Sequence, residues 1–180
     1  MNKRVTQVVI LAGGLGTRLK PFTNTAPKPM YPINNIPFID YLIRQMKSFG
    51  MEEALLLLGY LPKKIMDYLG DGSRYGLTIN YDITPVDYDT GMRIKHAAPQ
   101  IADKFLLLYC DNYCPINYSK LFADFCNNKA KIQITAYSNR DNYTKSNLHI
   151  TDDGLITIYD KKRIIPNLQG VDIGYALVDK

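Results

Sequence analysis

The 180-residue sequence has no long apolar run, and it contains only three cysteines and two histidines. No segment approaches the roughly 20 consecutive apolar residues that a membrane-spanning helix needs. The apolar stretch at residues 8–12 follows a basic N-terminus, but it is shorter than the core of a secretion signal and continues into glycines. We therefore interpret this stretch as a buried strand and expect no membrane partner.

Cysteine and histidine are too sparse to indicate a zinc site. Cys110, Cys114 and Cys126 have neither the spacing of a zinc ribbon nor that of a CxxC redox pair. Reduced thiols in a cytoplasmic protein are the expectation. His96 and His149 are each isolated in the sequence, which argues against a catalytic role for either.

The formal net charge of +5 is compatible with nucleic acid or with small phosphorylated substrates as partners. The basic residues are dispersed, and the short cluster at residues 161–163 has no interleaved aromatic side chains. We therefore do not expect a nucleic-acid partner. A salt-sensitive gel shift would reveal this alternative.

The length suits one domain with a single core. Compact apolar runs predict strands, and apolar residues at helical spacing predict helices between them. The predicted strands are 5–11, 54–58, 77–83, 105–109 and 132–137. The predicted helices begin near Pro37 (with Asn35 as N-cap and Gly50 after the last turn), at Pro62 (closed by Gly70), at Gly91 and at Tyr118.

From residue 147 the pattern changes to an antiparallel hairpin with its turn at 152–154, followed by a last strand at 171–178. Strand–helix alternation followed by a hairpin predicts an α/β fold. Its sheet should be mixed but mostly parallel, with helices on both faces and an antiparallel hairpin addition.

The strongest local motif, LAGGLGTRL at residues 11–19, directly follows the first strand. Ligands of open parallel sheets bind beyond the carboxyl ends of the strands. Glycines let backbone N–H groups approach phosphate oxygens, and the planar guanidinium of Arg18 matches a phosphate. Leu19 stands where a dinucleotide fingerprint needs its third glycine, and the GK[ST] of a Walker A loop is absent. A tight turn without a ligand is the alternative.

Two further charged residues have positions that suit phosphate chemistry. Lys28 lies between Pro27 and Pro29, so the backbone holds this cation stiffly. Asp111 ends a buried strand at the edge of the sheet where ligands bind, and a carboxylate there can hold Mg²⁺. Capping of the next turn is the alternative role for Asp111.

Together, the segments LAGGLGTRLKPFT and PKPMYPI closely resemble the N-terminal motif of the sugar-phosphate nucleotidylyltransferases, with Phe22 at a position where leucine is commoner. The ten-residue spacing from Arg18 to Lys28 favours this branch over the molybdenum-cofactor guanylyltransferases. The resemblance implies a Rossmann-like three-layer sandwich of the nucleotide-diphospho-sugar transferase type. It also implies condensation of an NTP with a sugar 1-phosphate, releasing pyrophosphate and depending on Mg²⁺.

The resemblance further implies roles for individual residues. Arg18, Lys28 and Asp111 are the implied catalytic residues, and Asp111 is the metal ligand. The implied nucleotide-binding residues are Leu11, Ala12, Gly13, Gly14, Gly16, Thr17, Arg18, Thr84 and Gly91. The implied sugar-phosphate-binding residues are Asn112, Asn147, Asp160, Lys161 and Asp172. Turn capping, a solvated charge run at the hairpin end and edge-strand solvation are the structural alternatives for this last set.

The base and the sugar stay open at this point. The stretches LLLLGYLPKKI, YLGDGSRYGL and VDIGYALVDK resemble enzymes of bacterial surface-glycan precursor supply, which favours guanylyl transfer to a mannose- or heptose-type 1-phosphate. The stretch DTGMRIK is similar instead to the GGRLK variant of some cytidylyltransferases, so cytidylyl, uridylyl and thymidylyl transfer remain alternatives. A non-catalytic regulatory relative would have lost Arg18, Lys28 or Asp111, and all three are present. A homo-oligomer is left open.

The last predicted strand would need cover that no later residue of the sequence supplies. We therefore expect residues 1–180 to form a single nucleotidyltransferase domain that is truncated at its C-terminus. In the family, a later segment carries a second carboxylate that completes the magnesium site. Asp172 and Asp179 are the acids in this sequence that could substitute for it.

Overall fold

The structure is a computed structural model that describes residues 4–128 and 130–180. Its strands are β1 (Gln7–Ala12), β2 (Pro32–Ile33), β3 (Ile36–Pro37), β4 (Glu53–Leu58), β5 (Thr78–Ile83), β6 (Lys104–Tyr109), β7 (Ile132–Tyr137), β8 (Leu148–Ile150), β9 (Ile156–Tyr159) and β10 (Val171–Asp179). Its α-helices are α1 (Phe38–Ser48), α2 (Pro62–Leu69), α3 (Thr90–Ala97) and α4 (Tyr118–Asn128).

Six strands form the central sheet in the order β5-β4-β1-β6-β10-β7. Strands β5, β4, β1 and β6 are parallel, and β10 runs antiparallel to both of its neighbours. Val9 at the centre pairs with Leu55 on one side and Leu107 on the other. The prediction of a mixed, mostly parallel sheet is therefore confirmed.

Helices cover both faces of the sheet, as predicted. Alternate residues of a strand point to opposite faces, and β1 and β4 are accordingly apolar at every position after their first residue. Val8 and Ile10 pack in one core with α1, α2 and α4, whereas Val9 and Leu11 pack in a second core with α3. The result is the expected three-layer sandwich.

The predicted start of the first helix is wrong in one detail. Asn35 does not cap α1; instead Asn34 and Asn35, with φ of 49° and 64°, form the turn of the small hairpin between β2 and β3. Asparagine tolerates this left-handed conformation better than most residues, and it is common in two-residue hairpin turns. Pro37 is the N-cap residue, so α1 begins at Phe38.

The C-terminal part follows the prediction closely. Strands β8 and β9 form an antiparallel hairpin, and Gly154 in its turn has a φ of +85°. An isolated bridge from Leu148 to Gly170 connects this hairpin to the start of β10. Within the described residues, none of the helices combines the length and apolar character that crossing a membrane requires.

Candidate active site

The carboxyl ends of β1 and β6 open onto a cleft of about 360 Å³. Because these two strands are parallel neighbours, the loops that follow them leave the sheet at the same edge. The structure brings nine of the predicted site residues together in the walls of this cleft: Leu11, Ala12, Gly13, Gly14, Gly16, Arg18, Lys28, Asp111 and Lys161. Segments far apart in sequence therefore meet where the sequence predicts a ligand.

The glycine loop is packed directly on the lysine segment. Gly16 has a φ of +62°, and a Cβ atom there would lie 3.0 Å from Cβ of Lys28 and 3.1 Å from Cγ2 of Thr23. The Thr23 hydroxyl donates a hydrogen bond to the Gly16 carbonyl at 3.2 Å. Glycine is required here both for the left-handed backbone and for the close approach. Thr17 and Arg18 follow in a short 3₁₀ turn, with their side chains exposed.

Lys28 and Asp111 form an ion pair at the mouth of the cleft, with 2.6 Å between Nζ and Oδ2. The two side chains are 30% and 33% exposed. A pair this open to water adds little to stability, so both groups are free to exchange partners when a charged ligand arrives. The sequence predicts each residue separately, but only the structure places them in contact.

The loop after Asp111 is anchored from two sides. The buried Tyr175 on β10 donates its hydroxyl hydrogen to Oε1 of Gln45 at 2.7 Å and accepts a hydrogen bond from the Cys114 backbone N–H at 3.2 Å. The Gln45 side chain donates in turn to the Cys114 carbonyl at 2.7 Å. Asn112 donates to the carbonyl of Ile173 at 3.0 Å. These contacts hold the backbone that carries Asp111.

Three residues predicted to bind the sugar phosphate make structural contacts: Asn147 and Asp172 hold the hairpin onto β10, and Asp160 holds the loop that follows the hairpin. The Asn147 side-chain oxygen accepts from the Asp172 backbone N–H at 2.9 Å. The Asp172 carboxylate accepts from the Tyr159 hydroxyl and from the Gly174 N–H, each at 2.8 Å. Asp160 is buried and accepts from three backbone N–H groups of the loop that follows it. Their sugar-binding roles stay predictions.

Asp179, the other acid considered for the metal, pairs with Lys104 at 3.3 Å and with Lys131 at 3.4 Å. It lies opposite Lys104, the first residue of β6. Asp111 lies two residues beyond Tyr109, the last residue of the same strand. The structure therefore places Asp179 at the other edge of the sheet from the cleft.

Asp160→Ala is expected to lower the melting temperature at pH 7. Backbone N–H groups, above all that of Ile165, hold the pKa of the Asp160 carboxyl below its usual range. A lowered folded-state pKa stabilises the protein above the unfolded-state pKa of about 3.9, and this contribution is lost as the pH falls through the folded-state value. The difference in melting temperature between wild type and variant should therefore shrink below about pH 4. Thermal unfolding between pH 3 and 7 measures it.

The exposed turn residue Asp152 provides the matched control, because Asp152→Ala removes one carboxylate from the same hairpin. Its melting temperature should stay close to that of wild type. An Asp160→Ala variant as stable as wild type at pH 7 would contradict the capping role.

Arg93, in the first turns of α3, is among the cleft residues that no motif of the sequence predicted. Its buried guanidinium donates hydrogen bonds to several backbone carbonyls and to the hydroxyl of Thr84. Thr84, predicted to contact the nucleotide, is itself buried and donates to the Leu58 carbonyl at 3.3 Å. Gly91 lies in the first turn of α3, beside Thr90 of the cleft wall. The feature of the sequence that could have pointed to Arg93 is its place in DTGMRIK, the stretch compared above with the GGRLK variant of some cytidylyltransferases.

The sequence model of the nucleotidyl transferase family matches residues 7–164 of this chain. The chain belongs to this family, and it is therefore a nucleotidyltransferase. The family assignment confirms the resemblance that the glycine-loop and PKPMYPI segments indicated.

Among curated relatives, the chain is 31% identical over 156 residues to the D-glycero-alpha-D-manno-heptose 1-phosphate guanylyltransferase of Campylobacter jejuni, covering 87% of this chain and 68% of that protein. It is 36% identical over 109 residues to the mannose-1-phosphate guanylyltransferase of Mycobacterium tuberculosis, covering 61% of this chain and 30% of the relative. Among solved structures, HddC from Yersinia pseudotuberculosis complexed with GMP-PN matches with a TM-score of 0.78 and 29% identity, covering 97% of this chain and 77% of that chain.

Proposed function

We propose that this chain transfers a guanylyl group from GTP to a mannose- or heptose-type sugar 1-phosphate and releases pyrophosphate. The observation that carries the proposal is the convergence of Arg18, Lys28 and Lys161 on one cleft, together with the glycine loop. A reaction between two phosphorylated substrates needs cations from more than one segment, because the two anions repel each other.

In the proposed reaction, a phosphate oxygen of the sugar 1-phosphate attacks the α-phosphorus of the nucleotide in line. A new P–O bond forms as the bond to the bridging oxygen of pyrophosphate breaks. Catalysis then consists of positioning and charge neutralisation, with no protein nucleophile. Burial raises the pKa of Cys110, the thiol beside Asp111, to about 12, so this cysteine is not ionised at neutral pH.

The cleft offers a magnesium ion a carboxylate ligand, that of Asp111. Carboxylate oxygen is a preferred ligand of Mg²⁺, and the Asp111 side chain reaches the cleft from the end of β6. Within residues 4–128 and 130–180 there is no group of three His, Cys, Asp or Glu residues arranged to hold a metal ion. Asp111 would therefore share the ion with substrate phosphates and water. When bound, Mg²⁺ would supply positive charge that offsets the negative charge of the substrate phosphates.

The choice of base rests on the two relatives described above, both of which are named as guanylyltransferases, and on the match to a structure complexed with GMP-PN. A thermal-shift screen of GTP, UTP, TTP and CTP with Mg²⁺ tests it. GTP should raise the melting temperature most, since a ligand at 100 times its Kd contributes roughly 2.7 kcal/mol. A larger shift with another nucleotide, matched by faster pyrophosphate release, would refute guanylyl transfer. The cytoplasmic location stays a prediction, and the oligomeric state stays open.

Lys161→Ala is expected to raise KM for the sugar 1-phosphate by about 10-fold or more, because a hydrogen bond to a charged group contributes roughly 1.5–3 kcal/mol. The affinity for GTP should stay nearly unchanged, since Lys161 is assigned to the second anion. Steady-state kinetics and calorimetry with GTP measure the two effects. Lys162→Ala is the matched control, as this neighbour is an exposed lysine of the same loop. Weakened GTP binding with an unaltered sugar-phosphate KM would contradict the assignment.

A further inference from the structure

Arg93 connects three separate segments of the cleft. Its Nη1 donates to the Leu58 carbonyl at 2.9 Å and also to the Thr84 hydroxyl. Its Nη2 donates to the Gly13 carbonyl at 3.2 Å, and to the carbonyls of Pro85 and Val86 at 3.0 Å each. One side chain thus holds the glycine loop, the end of β4 and the segment after β5.

The glycine loop lies directly on this guanidinium. A Cβ atom at Gly13 would lie 2.4 Å from Cζ of Arg93. A Cβ atom at Gly59 would lie 2.6 Å from the Gly13 carbonyl oxygen and 2.7 Å from Nη1 of Arg93. Both positions need glycine because the backbone and the arginine are in contact. Any shift of Arg93 therefore moves the loop assigned to the phosphates.

The charge of Arg93 is buried without a carboxylate in direct contact. The residue is 4% exposed, and within the described part of the chain it forms no ion pair with a carboxylate. Burial lowers the pKa of Arg93, but a guanidinium stays charged at neutral pH. The charges of Asp87 and Asp82 favour this charged form from a greater distance. A buried charge held mainly by backbone carbonyls is unfavourable, and an anion in the adjoining cleft would relieve this.

We propose that Arg93 is a positioning residue for nucleotidyl transfer. It fixes the glycine loop against residues 84–86, and its buried charge beside Gly13, which no carboxylate contacts directly, favours a polyphosphate in the cleft. This proposal rests on the proposed function, in which the triphosphate of a nucleotide occupies the cleft. It explains why a basic residue with five donors, rather than an apolar one, occupies this buried position of α3.

Arg93→Met and Arg93→Lys test the two parts of the role, with inorganic tripolyphosphate as the probe in calorimetry. Arg93→Met should weaken tripolyphosphate binding by about 10- to 100-fold, as expected for a unit charge several ångströms away at an effective dielectric constant near 20. Arg93→Lys keeps the charge and should recover most of this affinity. Its kcat should stay at least about tenfold low with little change in KM, because one ammonium cannot hold acceptors on three segments.

Arg74→Met is the matched control. It removes the same charge from a side chain that packs between Tyr68 and Tyr75, 4.5 and 4.6 Å from their ring centres, on another part of the surface. Its affinity for tripolyphosphate should stay within about twofold of wild type, because screening by salt weakens effects of distant exposed charges.

A folded Arg93→Met that binds tripolyphosphate as well as wild type does would overturn the proposal. So would equal losses in the methionine and lysine variants, since a merely structural arginine would not distinguish them. If Arg93→Met does not fold, Gly13→Ala displaces the guanidinium while keeping it, and unaltered tripolyphosphate binding there counts against the role. Wild-type protein that fails to bind tripolyphosphate would count against the proposed function instead.

Discussion

Asp111→Asn is expected to reduce kcat by at least about 10³-fold while leaving the protein folded. The amide has the same shape as the carboxylate but lacks its charge, and we propose this carboxylate as the protein ligand of Mg²⁺. Losing the metal removes charge neutralisation at the reacting phosphates, an effect of several kcal/mol. The ion pair with Lys28 is about one-third exposed on each side, so its loss should change stability little.

Pyrophosphate release at saturating Mg²⁺ measures the effect of Asp111→Asn on activity. Binding of Mn²⁺, monitored through the spectroscopic signal of this ion, gives a second readout. Asp124→Asn is a close control, because Asp124 also pairs with a lysine, Lys120, at 2.7 Å and is 41% exposed. The control should keep wild-type activity and Mn²⁺ binding. Activity of Asp111→Asn within a few-fold of wild type would remove this residue from the metal site.

Arg18→Ala is expected to lower kcat by about 10²–10³-fold, as is typical when one preorganised donor to a developing charge is lost. The Arg18 side chain lines the cleft and is otherwise exposed, so the melting temperature should hardly change. Arg18→Lys should recover only part of the rate, because an ammonium cannot reproduce the planar, two-pronged contact of a guanidinium with phosphate.

Steady-state kinetics and GTP calorimetry separate the effects of Arg18→Ala on rate and on binding. Arg140→Ala removes an equal charge from another exposed position and serves as the control. If Arg18→Ala and Arg140→Ala had the same activity, the triphosphate contact assigned to Arg18 would be wrong.

The central strands and most helices could be predicted because their signals are local. Strands β1 and β4 are apolar on both faces, and only a strand buried between two layers of helices requires this. Gly70 marks the end of α2 as expected. The start of α1 could not be read in the same way. The two asparagines before it suit either a helix cap or a hairpin turn, and the pairing of β2 with β3 decided between them.

The site likewise contains residues that could be predicted from local sequence and contacts that could not. The glycine loop, Arg18, Lys28 and Asp111 could be assigned from the sequence, because their motifs are short and directly follow strands or stiff segments. The contact between Lys28 and Asp111 joins residues 83 positions apart, and no local pattern encodes it. Asp160 has the sequence context of a free acid, but its own loop folds back and supplies three N–H donors to it.

By itself, the sequence determined the nucleotidyltransferase family, the mostly parallel sheet and the edge at which phosphates are expected to bind. Burial on both faces of a strand and the conformational requirements of glycine and proline are each encoded within a few neighbouring residues, so the sequence alone reveals them. Only the tertiary structure decided that β10 lies antiparallel between β6 and β7, and that Arg93 supports the glycine loop. Arg93 and Gly13 are 80 residues apart, and their contact exists only after the sheet has brought β1, β4 and β5 side by side.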